Sequence, residues 1–329
     1  LAAILAMLRE QRPDARVVAV GHRIVHGGPD FAASVCLDAA ILVRLEALCA
    51  LAPLHQPHNL SGVAAAQAAF PDALQIACFD TSFHRKHPWV NDTFAIPQRF
   101  YDEGVRRYGF HGLSYEYIVA RTRELGLVEA GNRLVVAHLG NGASMCAIQH
   151  GVSVASTMGF TALDGLPMGT RCGQIDPGVL IYLMTEKGMT LEELTELLYS
   201  ESGLKGLSGI SNDMRDLEAS DAPEAARAID YFVFRVRREL GAMAAVLRGL
   251  DAVVMTGGIG ENAASIRHRI LHDEQWLGIA IDDARNEANA LEISTDASPV
   301  KVYVIPTNEE AMIARQTAAI LAGQTDTGA

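Results

Sequence analysis

Four side chains sit where chemistry would explain them: Arg23, Asp80, His111 and Arg171. Arg23 lies in Gly-His-Arg-Ile-Val-His-Gly-Gly, residues 21–28, within an apolar strand pattern. A guanidinium there must meet a carboxylate or a bound anion, because burying it alone is costly. A structural ion pair and an anion site are both open on this ground. Asp80 follows the apolar run 74–79, at a strand terminus where α/β proteins build sites, although an Asp there also serves as a turn former. His111 stands between Gly109 and Gly112 with only Phe110 beside it, as catalyst or as an ordinary hydrogen-bonded histidine. Arg171 lies on the loop Gly-Leu-Pro-Met-Gly-Thr-Arg, residues 165–171, where a five-donor fork suits phosphoryl oxygens.

Glycine-rich turns surround these residues in the sequence. His138, Leu139, Gly140, Asn141 and Gly142 allow backbone N–H groups to approach a phosphate, but Asn-Gly also makes a hairpin unaided. Asp213, Met214, Arg215 and Asp216 fit either a nucleotide contact or a solvated helix start. Residues 256–262, Thr-Gly-Gly-Ile-Gly-Glu-Asn, form a strand–glycine–helix junction, a recurrent nucleotide site. The junction is neither a Walker loop nor G-x-G-x-x-G. Glu309 and Glu310 follow the last strand, suited to Mg²⁺ or to the positive end of a helix.

The elements that must position these groups alternate between strand and helix, which predicts α/β architecture. Strands are expected over residues 17–25, 74–79, 252–256 and 300–305. Residues 133–139, 143–148 and 152–155 form a meander turned at Asn141-Gly142 and His150-Gly151. Helices are expected over 39–50, 176–188, 190–199, 222–249 and 309–321. Asn262 is expected to cap a helix over 263–277, and residues 1–8 carry the spacing of a packed helix end.

A chain of 329 residues allows two domains, and the absence of a linker implies that they are interleaved. The formal charge of −12 leaves no basic footprint for nucleic acid. Five scattered cysteines read as thiols of a reduced compartment, mostly small core residues, with no disulfide frame or zinc site. No targeting segment is expected, and no apolar run reaches membrane-spanning length.

Each motif is weak alone, but their combination and order resemble the acetate kinase family, part of the group that includes sugar kinases, Hsp70 and actin. The blocks STMGFTALDGLPMGTRCGQIDPG, VVMTGGIGEN and PTNEEAMIARQT carry the resemblance, which runs from His22 to Arg315. It implies two RNase H-like domains with the active cleft between them. The first would span residues 1–80, completed by 309–329, and the second 81–308. It implies ATP and acetate as substrates, Mg²⁺ or Mn²⁺ as metal, a cytoplasmic homodimer with contacts in the second domain, and no nucleic acid or membrane partner. Arg23, Val25, Leu54 and Phe110 would hold the short carboxylate, with Asp80, His111 and Arg171 as catalytic groups. His138, Leu139, Gly140, Asn141 and Gly142 would face the phosphates. Asp213, Met214, Arg215, Gly258, Ile259, Gly260, Glu261 and Asn262 would face the adenosine, and Glu309 the metal.

The chemistry agrees with that list, because phosphoryl transfer depends on positioning and charge stabilisation more than on a base. A carboxylic acid is already ionised at neutral pH, so Asp80 is expected to orient an arginine, His111 or metal-bound water. Family members also begin with a strand and an Asn-x-Gly-Ser-Ser-Ser phosphate loop, and this chain is expected to open inside the first domain. Ala162, Cys172, Gln174, Leu113 and Tyr115 depart from the residues common in the family. Propionate or another short acyl acceptor is the near alternative, since one methylene changes discrimination by only about 1–3 kcal/mol. A noncatalytic nucleotide-binding module is the alternative of a different class.

Overall fold

The computed structural model describes residues 7, 10–12, 14–52, 55–129 and 132–326. Apart from Met7, the helix expected over residues 1–8 lies outside these, as does the expected substrate contact Leu54. Apolar strands and amphipathic helices sort the chain into two layered α/β sheets.

The smaller sheet contains β1 (Ala19–Ile24), β2 (Val35–Cys36) and β3 (Leu74–Phe79), in the order β1-β3-β2. Parallel pairing of β1 and β3 sets Arg23 opposite Cys78 and Ile24 opposite Phe79. The period of two along β3 divides the core. Ala77 and Phe79 pack with Ile24, Phe31, Leu45 and Val63 on one face. Ile76 and Cys78 pack with Leu113 and Met312 on the other. Met312 belongs to the C-terminal helix Glu309–Asp326, which therefore lies on the smaller sheet.

The larger sheet contains β4 (Arg133–Leu139), β5 (Ala143–Gln149), β6 (Val152–Ser156), β7 (Ala252–Thr256) and β8 (Lys301–Val304). Their order is β6-β5-β4-β7-β8. The expected meander forms its antiparallel half, while β4, β7 and β8 run parallel. Helix Pro223–Leu247 covers one face, burying Phe232, Val236, Leu240, Met243 and Leu247 at helical spacing against Val135, Ala137, Met145 and Val253. Each fully buried side chain of that size contributes roughly 1.5–3 kcal/mol. Helix Gly112–Glu124 covers the other face, with Tyr115, Ile118 and Val119 against Leu134, Val136, Cys146 and Val254.

The glycine junction after β7 differs from the expected loop. Residues Gly257–Asn262 are themselves a short helix, and Asn262 ends it, donating from Nδ2 to Gly258 O at 2.9 Å. The next helix, Ala264–Leu271, has no side-chain cap and stops short of 277. The physical reason is Gly257, whose φ of +76° turns the chain directly from strand into helix. All five cysteines are free thiols; Cys78 and Cys146 are buried and the other three half-buried. No described helix is long and apolar enough to cross a membrane.

Candidate active site

Parallel pairing places the carboxyl ends of β1 and β3 side by side, and these ends carry Arg23 and Asp80. Arg23 Nε reaches both carboxylate oxygens of Asp80 at 3.1 Å, and Nη2 reaches Oδ2 at 2.7 Å. Nη1 lies 3.4 Å from Glu309 Oε2 at the start of the C-terminal helix. The Asp80 side chain is 2% exposed and that of Arg23 is 44% exposed, so the fork is held from below and open above. The charge of Asp80 raises the Arg23 pKa above its ordinary value. Burial raises that of Glu309, with Asp80 and Glu310 adding to the shift and Arg23 opposing it.

Asp80 also fixes the neighbouring loop, because its backbone oxygen accepts from Gly112 N at 2.8 Å. His111 precedes that glycine and holds a left-handed φ of +57° before the helix begins. Such a conformation is uncommon outside glycine and aims the ring away from the helix. Its Nδ1 lies 2.8 Å from Ser144 Oγ. Its ring stacks on His138, with centroids 4.3 Å apart. Burial, then the charges of His138, Arg171 and Arg23, lowers the His111 pKa well below the imidazole range. Burial, then Arg23, lowers that of His138 to about 4.

Arg171 approaches from the opposite side. Its Nη1 donates to Ala162 O at 2.9 Å, and burial lowers its pKa. The loop that carries it docks on the β4–β5 turn, where Gly169 N donates to Asn141 O at 3.0 Å. Gly142 marks the convergence: a Cβ there would lie 2.9 Å from Arg171 Nη2 and 3.2 Å from His111 Nε2. A guanidinium and an imidazole thus meet over a turn with no side chain, which is space for an anionic group.

Beyond this turn is a cavity of about 500 Å³ lined by Gly140, Asn141, Asp213, Met214, Arg215, Gly258, Ile259 and Asn262, among others. It opens where β4 and β7, paired from Leu134↔Ala252 to His138↔Thr256, end together. That crevice at parallel strand ends is where α/β sheets receive ligands. Asp213 receives Arg215 at 2.6 Å, and hydrogen bonds from Arg215 lower its pKa to about 2.

Five expected nucleotide contacts do not line this cavity: His138 and Gly142 stand at the His111–Arg171 convergence instead, and Leu139, Gly260 and Glu261 turn inward. Leu139 has no exposed surface and packs in the core, and Gly260 is buried beneath β7. Glu261 turns inward as a strut: Oε1 accepts from Gly257 N at 2.9 Å, Thr307 N at 3.1 Å and Thr256 Oγ1 at 3.3 Å. Burial of a carboxylate favours three donors over solvent, which explains its direction. Phe110 belongs to the larger apolar cluster, and Val25 and Ala162 pack against it.

Several participants carried no signal of their own in the sequence. Asn59 Oδ1 accepts from Val25 N at 2.9 Å, and Gln56 brackets both backbone groups of His26. Burial, then the charges of Arg171 and Arg23, lowers the His55 pKa below the usual imidazole value, with Asp80 opposing. The polar run His-Gln-Pro-His-Asn, residues 55–59, which opens the alanine-rich helix Gln56–Ala69, was the available clue. His84 donates from Nε2 to Phe110 O at 2.9 Å, securing the residue before His111. Ser114 joins His138 Nδ1 at 2.9 Å to Thr307 Oγ1 at 2.8 Å.

The chain matches the Acetokinase family over residues 1–315. It is 62% identical to an acetate kinase of Methylocella silvestris over 318 residues, covering 97% of this chain and 79% of the relative. It is 56% identical to an acetate kinase of Nitrobacter hamburgensis, covering 92% of this chain and 75% of the relative. Among solved structures, Porphyromonas gingivalis acetate kinase superposes with a TM-score of 0.91 at 39% identity, covering 97% of this chain and 84% of that one. A propionate kinase from Francisella tularensis superposes with a TM-score of 0.92 at 39% identity, covering 97% and 83%.

Proposed function

We propose a residue-level mechanism from the premise that this chain belongs to the acetokinase family and is an ATP-dependent acetate kinase. The reaction moves the γ-phosphoryl group of ATP to acetate. A carboxylate oxygen forms the new P–O bond as the bond to the ADP oxygen breaks, so no proton need be removed. Catalysis then rests on orientation and charge.

Arg23 binds the acetate carboxylate, and Asp80 holds its fork in place. Val25 and Phe110 face the methyl group. Arg171 and His111 bear on the transferring phosphoryl group from two sides. The observation that carries this reading is their convergence within about hydrogen-bonding reach of the bare Gly142 turn. His138, Gly140, Asn141 and Gly142 cradle the phosphates, and Asp213, Met214, Arg215, Gly258, Ile259 and Asn262 receive the adenosine.

The donor chemistry fits Mg²⁺ or Mn²⁺ at Glu309. Asp80, Glu309 and Glu310 face a single arginine, and Mg²⁺ is usually held by one or two carboxylates plus substrate phosphates. The ion would neutralise phosphate charge, while Glu309 orients it.

The domain division at residues 80 and 308 is favoured by the C-terminal helix, which packs on the smaller sheet. A homodimer is favoured by helix Pro177–Thr185, which has no buried residue and exposes Val179, Ile181, Tyr182 and Met184. A cytoplasmic location suits five free thiols.

The direct test is acetyl phosphate formation from ATP and acetate with added Mg²⁺, beside an Arg171→Ala variant. Activity in the native protein that survives Arg171→Ala within tenfold would remove the proposed convergence. Propionate is a second reading, favoured by the small Ala162, which packs against the same apolar cluster as Val25. Comparing kcat/KM for the two acids decides it, and equal values would end acetate preference.

A further inference from the structure

Tyr115 has no exposed surface, and among the described residues its hydroxyl has one hydrogen-bond partner, a short contact to Ser144 Oγ. Ser144 is equally buried, lies on β5 and sits 2.8 Å from His111 Nδ1. A buried phenol leaves its hydrogen unsatisfied only at substantial cost, so Tyr115 donates to Ser144. Ser144 has a single hydrogen of its own. With Tyr115 donating to it, its remaining nitrogen partner is His111 Nδ1, which therefore accepts. A neutral imidazole that accepts at Nδ1 carries its proton on Nε2.

We propose that Tyr115 and Ser144 are positioning residues forming a one-way donor relay, Tyr115 to Ser144 to His111, that presents the His111 Nε2–H to the transferring phosphoryl group. The assignment of protons comes from satisfying the hydrogen-bond network, and it rests on the reading that His111 faces that group. Its direction follows from the geometry at Gly142, where Nε2 and Arg171 Nη2 face one point. Each donation polarises the next hydrogen bond, so the phenol strengthens Nε2–H as a donor although it lies outside the site. His111 acts as a fixed donor to oxygen, and no proton leaves it during the reaction.

The test pairs ¹⁵N spectroscopy of the His111 ring with a double-mutant cycle. In the native protein Nδ1 should show a pyridine-like shift with hydrogen-bond shielding, and Nε2 a pyrrole-like shift. Ser144→Ala should move Nδ1 towards the unbonded value and lower kcat about tenfold with both KM values nearly unchanged. Tyr115→Phe should give a smaller loss of the same kind, and the double variant should be no slower than Ser144→Ala alone. Purely additive losses, or unmoved ¹⁵N shifts in both variants, would overturn the relay. If Ser144→Ala fails to fold, a pyrrole-like Nδ1 in the native protein overturns it and a pyridine-like Nδ1 supports it. The spectra need no turnover, so loss of the acetate kinase reading would show separately as absent acetyl phosphate formation.

Discussion

Adding one methyl group at Gly142 separates catalysis from folding. Gly142 does not use the left-handed backbone region, so alanine fits its main chain. The new Cβ would lie 2.9 Å from Arg171 Nη2, 3.2 Å from His111 Nε2 and 3.5 Å from His111 Cε1. Carbon contacts relax near about 3.5 Å, so the guanidinium must retreat by roughly 0.6 Å or rotate about its bond to Ala162 O. A misplacement of about 1 Å at a reacting centre can cost about 100-fold, so kcat should fall by about 10–100-fold. Stability should change by less than about 1 kcal/mol, because the end of a side chain yields and glycine-to-alanine changes favour folding where the backbone permits. The assay is steady-state acetyl phosphate formation beside a thermal melt. Gly62→Ala is the control, since a Cβ there meets nothing within 4 Å, and it should leave kcat unchanged. Gly142→Ala with kcat within twofold of the native value would refute a reacting centre between Arg171 and His111.

Asp80→Asn removes the charge from the Arg23 clamp and should lower kcat by about 100-fold or more while raising the acetate KM, since misorientation alone reaches that size; near-native turnover excludes the orienting role. Arg267→Ala should destabilise the chain by about 3 kcal/mol or more in urea unfolding, because the buried guanidinium holds Gly260 O at 3.1 Å, Glu261 O at 2.9 Å and Asn286 O at 2.7 Å. Burial lowers the pKa of His84 and His138 to about 4 and that of His26 to about 3. The unfolded chain therefore binds these protons first, and stability present above pH about 6.5 is lost as pH falls towards about 4. The slope is on the order of 1.4 kcal/mol per pH unit for each histidine, and unchanged urea midpoints between pH 7 and 5 would contradict it.

The parts of the fold written in local periodicity were legible. Leu74–Phe79 and Ala252–Thr256 are bounded apolar runs, and their observed limits match those expected. The junction after β7 was misread because glycine signals a turn in sequence, whereas Gly257 here lets a helix begin at once. The chemistry of Arg23 was recognisable, but its partner lies 57 residues away and only strand pairing brings it near. Ser114 and Thr307 are 193 residues apart and are ordinary hydroxyls until two helix–strand layers close over them. Glu261 shows the converse limit: a carboxylate in a nucleotide-like motif was drawn inward by three donors that no linear pattern reveals.

The turn at Asn141 has a mechanical consequence. Its backbone oxygen receives the arginine loop through Gly169, and its side-chain oxygen receives Asn212 Nδ2 at 3.1 Å, at the wall of the 500 Å³ cavity. A single residue therefore belongs at once to the loop that carries Arg171 and to the wall of the cavity proposed above for the adenosine. Displacement of that wall reaches the loop carrying Arg171 through two hydrogen bonds. The acceptor acid should accordingly bind with one affinity beside a full cavity and another beside a vacant one, and by reciprocity each substrate reports the presence of the other.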